Sequence, residues 1–356
     1  MAPRPNAGLL LRSLRRGAGA SIGAPRHLAP AAARSSGRLF STFYRSRLPH
    51  STSTNSGDST YTTVSPDEVA HFNNLASSWW DPQGPSRILH LMNPLRHDFI
   101  RSCRSSVPDL EPSPVASDAA LGLRYLDIGC GGGIFAESAA RLPDTLSVTA
   151  IDPSPEVLTV ARAHARRDPS LSLPSRSSPP GSKNPKQKKL EYINASIEQL
   201  AVPGTGTGSA EPEPYDVVTV FEVLEHVADP AGFLARCAPF VRPGGWLVLS
   251  TIARTWASWF TTNLVAEDLL RIVPRGTHDW NKYVNEHELR RFFLSPLSPQ
   301  SASAASGSAP AAAEPWAWTD PRCMGVVYVP GLGWKEVPGS EKLGNYFFAV
   351  RRAPES

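Results

Sequence analysis

Glu222, Glu225 and His226 are the residues whose types and spacing most directly permit chemistry. They stand at i, i+3 and i+4 just after Tyr215–Phe221 (YDVVTVF), an apolar run that reads as a buried strand. If that strand opens into a helix, the spacing puts two carboxylates and an imidazole on one face. Such a donor set suits Mg²⁺ or Zn²⁺, with positions left open for oxygen ligands. Two other readings stay open. His226 can serve as a metal-free general base, since an unperturbed imidazole titrates near about 6.5. The three residues can also be packing alone.

A second constellation surrounds glycine. Asp127-Ile128-Gly129-Cys130-Gly131-Gly132-Gly133 leaves another apolar run, Leu123–Ile128, and leads into a helical pattern. Glycines there let backbone approach a ligand closely, and a helix N-terminus favours negative groups. Asp152 closes the next apolar run, where a carboxylate can accept both hydroxyls of a ribose. Gly131–Ala136 also satisfies G-x-G-x-x-A, with Asp152 about 20 residues on, as a dinucleotide site requires. The loop therefore does not choose its own cofactor, and a ligand-free tight turn is a third reading.

These residues need elements to hold them. Ser65 followed by Pro66, Asp67 and Glu68 predicts an N-cap and first turn for a helical stretch over 66–104. Short apolar runs at 123–128, 146–151, 190–193, 215–221 and 246–251 predict five strands, with helices at the glycine loop through Arg141 and at 156–165. Strands alternating with helices imply a parallel sheet covered on both faces. A further strand is expected at 345–351. Stretches 168–189, 203–214 and 295–315 are rich in Pro, Ser, Gly, Lys or Ala, and read as inserts between elements. They account for much of the unusual proline content, 35 of 356 residues.

Charge is uneven along the chain. Residues 1–57 hold nine arginines and no acid, so the formal +4 of the whole becomes −5 beyond them. That balance argues against a nucleic-acid partner. The arginine-rich, acid-free start instead has the composition of a mitochondrial transit peptide, predicted over 1–40, with a loose linker over 41–65. Four scattered cysteines with no C-x-x-C pair exclude a disulfide scaffold and a cysteine-based zinc module. No run is long and apolar enough for a membrane-spanning helix.

Four features taken together resemble the class I S-adenosylmethionine-dependent methyltransferases: Asp127 two residues before Gly129, the YDVV strand, the Leu224-Glu225-His226 turn, and Pro243-Gly244-Gly245 before the fifth strand. This likeness covers roughly 120–252. FNNLASSWWD (72–81), LMNPLR (91–96), GCGGGIFAES (129–138) and IVPRGTHD (272–279) narrow it. With them the chain resembles the ubiquinone-biosynthesis O-methyltransferases, over about 66–294 and 325–352. The resemblance implies a Rossmann-like class I methyltransferase fold: a mixed seven-stranded sheet with helices on both faces, the last strand antiparallel, and a helical N-terminal cap. It implies methylation of catechol-type hydroxyls on 3,4-dihydroxy-5-polyprenylbenzoate and on demethylubiquinol.

The resemblance also implies roles. Arg96 would grip the cofactor carboxylate, Asp127 its cationic methionine end and Asp152 its ribose. Gly129 and Gly131 would form the loop, and Phe221 an apolar contact at the end of the fourth strand. Asn194–Glu198 would lie beside the adenine. Glu222, Glu225 and His226 would hold Mg²⁺, with Zn²⁺ as the alternative. Trp79 and Trp80 read either as a lid over the cofactor or as core. Implied partners are other ubiquinone-biosynthesis proteins and, peripherally, the matrix face of the mitochondrial inner membrane. The apolar residues of 254–274 spread around a helical wheel, which suits either a segment facing both protein and lipid or a helix buried on two sides.

Overall fold

A computed structural model describes residues 62–107, 122–171, 189–204, 212–255, 258, 282–295 and 317–354. The leader, most of the linker, most of each insert and nearly all of 254–274 lie outside the described residues.

The chain opens with α1 (Pro66–Leu75), capped by Ser65, whose hydroxyl accepts from the Glu68 amide at 3.5 Å. A single 3₁₀ turn follows at Ala76–Ser78, and α2 (Arg87–Ser105) begins only after Ser86. The expected stretch over 66–104 is thus two helices. Pro82, Gly84 and Pro85 fall in the break, where proline and glycine oppose helix continuation.

Then come β1 (Leu123–Ile128), α3 (Ile134–Ala140), β2 (Thr145–Asp152), α4 (Pro155–Ala165) and β3 (Lys189–Asn194). They are followed by β4 (Tyr215–Phe221), α5 (Pro230–Cys237), β5 (Val241–Ile252) and α6 (Glu286–Leu294), and last by β6 (Trp318–Val329), β7 (Gly333–Glu336) and β8 (Asn345–Arg352). The sheet order is β3-β2-β1-β4-β5-β8-β6-β7. The first five strands are parallel, and β8 inserts antiparallel between β5 and β6.

Eight strands stand where seven were expected. The additional one, β7, folds back on β6 as an edge hairpin. β6 has no legible alternation, because Asp320 has φ 51, Pro321 follows it, and the pairing register shifts between Thr319 and Arg322.

Burial on both faces explains the continuous apolar strands. Tyr125, Val217, Trp246 and Phe347 join Met92, Phe99, Phe135 and Leu158 on one side. Their neighbours Leu126, Val218, Leu247 and Phe348 join Phe233, Leu234 and Phe292 on the other. The sheet therefore holds the carboxyl ends of β1, β2 and β4 in one rigid row. No helix among the described residues is long and apolar enough to cross a membrane.

Candidate active site

Three parallel strands end at one cavity of about 640 Å³. Gly129, Gly131, Asp152, Phe221, Glu222, Glu225 and His226 all lie on its wall, as do Ala195–Glu198 from the turn after β3. A cleft at the carboxyl ends of parallel strands is where open α/β sheets bind ligands.

The glycine end is tied together by backbone. Gly129, Gly131 and Gly133 have φ of 69°, 52° and 86°, a region costly for other residues. The Gly131 amide donates to Asp152 Oδ2 at 2.9 Å, and the Ser154 amide to Asp152 Oδ1 at 2.9 Å. Burial raises the Asp152 carboxyl above its usual value, while those two amides oppose the rise. Each oxygen retains a second lone pair for a ligand.

Trp79 and Trp80 hold the N-terminal segment on this loop. A Cβ on Gly131 or Gly132 would collide with the Trp79 indole, so these glycines admit the ring. Trp79 is buried among Ala76, Ile134 and Val157 and also lines the cavity. Its burial accords with the core reading, and its place on the cavity wall leaves the lid reading open. Trp80 donates to the Gly132 carbonyl at 2.8 Å and stacks on His164.

Arg96 and Asp127 sit behind the wall rather than on it. Arg96 is 4% exposed, and its guanidinium lies 4.8 Å from the centre of the Phe221 ring. Burial lowers its pKa, opposed by the charges of Glu222 and Asp127. Its Nε is buried with no hydrogen-bond partner among the described residues. Burial pushes Asp127 up to about 7, against the Thr219 hydroxyl, which donates to its Oδ1 at 2.7 Å, and the Arg96 charge.

The acid–histidine end departs from the helical expectation. Leu224–His226 is a 3₁₀ turn, and Glu222 precedes it at φ 55, left-handed for a non-glycine residue. Ser250 steadies that backbone, its Oγ accepting from the Glu222 amide at 3.0 Å. Thr251 donates to Glu225 Oε2 at 2.9 Å. Burial and the neighbouring Glu222 push Glu225 up to about 7.

Sequence reasoning missed two residues here. Glu68 Oε2 lies 3.0 Å from His226 Nδ1, and Lys282 Nζ donates to Glu68 Oε1 at 2.9 Å. Phe72 sets its ring edge-on to His226 at 5.0 Å. Burial alone would lower the His226 imidazole, but the Glu68 hydrogen bond and the surrounding acids raise it above its usual value. Glu68 is held down to about 2, chiefly by His226. The only local signal was an acid in the first turn of a predicted helix, which a helix dipole explains equally well.

A methyltransferase-domain family model matches residues 95–295. The mitochondrial ubiquinone biosynthesis O-methyltransferase of Candida albicans is 37% identical, over 82% of this chain and 86% of its own. That of Schizosaccharomyces pombe (strain 972) is 40% identical, over 81% and 87%. The ubiquinone biosynthesis O-methyltransferase of Rhodopseudomonas palustris (strain BisB18) is 36% identical, over 67% and 81%. The chain belongs to the ubiquinone biosynthesis O-methyltransferase family.

In this O-methyltransferase, no group of three or more His, Cys, Asp or Glu among the described residues is gathered closely enough to hold a metal ion. The helix assumed by the i, i+3, i+4 spacing does not form, Glu225 is engaged by Thr251, and His226 by Glu68. The residue types suit a divalent cation, but among the described residues they are not gathered round one point. Glu222 Oε1 is buried with no hydrogen-bond partner among the described residues, and Glu225 is raised partly by that like charge.

Proposed function

We propose that the chain transfers the methyl group of S-adenosylmethionine to a catechol-type hydroxyl of 3,4-dihydroxy-5-polyprenylbenzoate and of demethylubiquinol. The observation that carries this reading is the single cavity shared by the glycine loop, Asp152 and the Glu222–His226 turn. The names of its relatives supply the pathway.

In this reading Asp152 accepts the ribose hydroxyls, and Gly129 and Gly131 let the cofactor approach the backbone. Asp127 and Arg96 fix the methionine end, Arg96 acting from behind Phe221. The charges of Glu222 and Asp127 oppose the lowering that burial imposes on Arg96.

A phenol has a pKa near about 10, so the free hydroxyl is a weak nucleophile at neutrality. Glu222, Glu225 and His226 would hold Mg²⁺, or Zn²⁺ in its place, which lowers the pKa of a bound hydroxyl. In the metal-free alternative, His226 instead takes the phenol proton as general base. The phenolate oxygen then forms a bond to the methyl carbon as the carbon–sulfur bond breaks, leaving neutral S-adenosylhomocysteine.

The arginine-rich leader supports import into the mitochondrial matrix, and the two fungal relatives are named mitochondrial. A water-insoluble tail on the substrate supports peripheral contact with the inner membrane and handover within a complex of ubiquinone-biosynthesis proteins.

Two measurements test the proposal. Cells lacking the protein should accumulate a demethylated polyprenyl catechol, read by mass spectrometry of extracted quinones. Activity should vanish in chelator and return with Mg²⁺ or Zn²⁺; full activity in chelator would remove the metal and leave His226 as the base.

A further inference from the structure

From Phe221 the cavity continues along Met92 and Val326, which pack in one cluster with it, to Ile88, Tyr328 and Trp334. None of these six side chains is charged. One side of this arm is the first turns of α2 and the other is the β6–β7 hairpin. The two are tied where Trp334 Nε1 donates to the Ile88 carbonyl at 2.8 Å. Tyr328 and Trp334, paired across the hairpin, set their rings 5.4 Å apart.

The outer end of the arm is apolar where a surface would ordinarily be polar. Leu332, at the hairpin turn, is 68% exposed, and Leu343, in the following turn, is 57% exposed. Val327, which like Leu343 lies on the cavity wall, is exposed as well, and Leu332 falls between the wall residues Pro330 and Trp334. Apolar side chains clustered at a cavity mouth mark a contact surface.

We propose that this arm is a prenyl subsite, seating the isoprene units nearest the ring and releasing the rest of the tail past Val327, Leu332 and Leu343 into lipid. The inference rests on the reading that the substrate is a prenylated catechol. Three observations fix the occupant's chemistry. The arm starts at Phe221, the residue against Arg96 and next to Glu222, so its occupant is joined to the group that reacts. None of the six side chains along it is charged, so among the described residues this stretch of wall suits a hydrocarbon. Its far end opens at exposed Leu and Val, so the occupant is longer than the arm.

The test is steady-state kinetics on a dihydroxybenzoate bearing zero, one or two isoprene units. In the wild type, kcat/KM should rise about 10-fold or more with each unit seated, the usual gain from filling an apolar pocket. Ile88→Lys, which puts a charge at the side of the arm, should flatten that rise, and Ile88→Leu should retain it. A uniform loss on all three substrates in Ile88→Lys, or an unflattened rise, would overturn the subsite. If the wild type methylates all three equally, the subsite falls while the methyltransferase reading stands. Methylation of none of them, with cofactor and metal present, refutes the reading beneath it.

Discussion

At the glycine end of the cavity, the ties that orient Asp152 are local, although Trp80 reaches the Gly132 carbonyl from 52 residues earlier. Asp152 is held by the Gly131 and Ser154 amides, within one strand–loop–strand unit. At the acid–histidine end, the ties are assembled from across the chain. His226 meets Glu68 from 158 residues earlier, and Glu68 in turn meets Lys282. Glu225 meets Thr251 from the next strand, and Glu222 is held at a left-handed φ by Ser250. One end is a rigid backbone cradle. The other is a charged cluster whose members each depend on a distant segment, with strain at its entrance, as is common where chemistry is done.

Substitutions should therefore separate the two ends. The largest effect is expected at the charged cluster. Glu222→Ala and His226→Ala should each lower kcat by about 10²- to 10⁴-fold, with cofactor affinity retained in a calorimetric titration. Parallel loss of cofactor binding would dissolve the distinction.

Next is Arg96, which the cradle uses from behind. A cofactor grip alone predicts weakening of about 1.5–3 kcal/mol, or roughly 10- to 150-fold. Because Arg96 is buried and packs its guanidinium on Phe221, Arg96→Ala should also lower folding stability. Asp152→Asn should weaken cofactor binding by the same amount, without the loss of stability. Equal unfolding midpoints for Arg96→Ala and wild type would contradict the burial argument.

Gly132→Ala sharpens the comparison from the cradle side. Its methyl group would strike the Trp79 indole, an overpacking cost of about 1–3 kcal/mol. The loss should shrink in a Gly132→Ala/Trp79→Ala double variant, measured by urea denaturation.

The smallest effect is pH-dependent. Glu68 is lowered from 4.5 to about 2, so its contribution is full above about 4.5 and is lost as pH falls through about 2. His226 is raised above 6.5, so its contribution is full below about 6.5 and is lost as pH rises through its folded value. In metal-free protein, the stability difference between wild type and Glu68→Gln should thus peak between about pH 4.5 and 6.5 and shrink as pH rises through the folded value of His226. A difference independent of pH would mean the two groups do not couple.

The same contrast explains what was legible in sequence. The cradle was readable because its glycines, Asp127 and Asp152 sit at fixed offsets from short apolar strands, and fixed offsets are what a sequence displays. β1 to β5 were visible because burial on both faces makes them continuously apolar. β6 was not, since Asp320, Pro321 and a register shift interrupt its pattern. The roles of Glu68 and Lys282 could not be read, because nothing local distinguishes a surface acid in a first turn from one brought against a histidine by tertiary packing. The helix assumed after β4 failed for a related reason: the left-handed turn at Glu222 is imposed by β5, not by its own residue type.

The most direct test of the central claim is product analysis with purified protein, methyl-labelled S-adenosylmethionine, Mg²⁺ and a short-prenyl dihydroxybenzoate. The account predicts an O-methylated ring that carries the label, formed by wild type and lost in His226→Ala. Intact cofactor and no labelled ring from folded wild-type protein would contradict it.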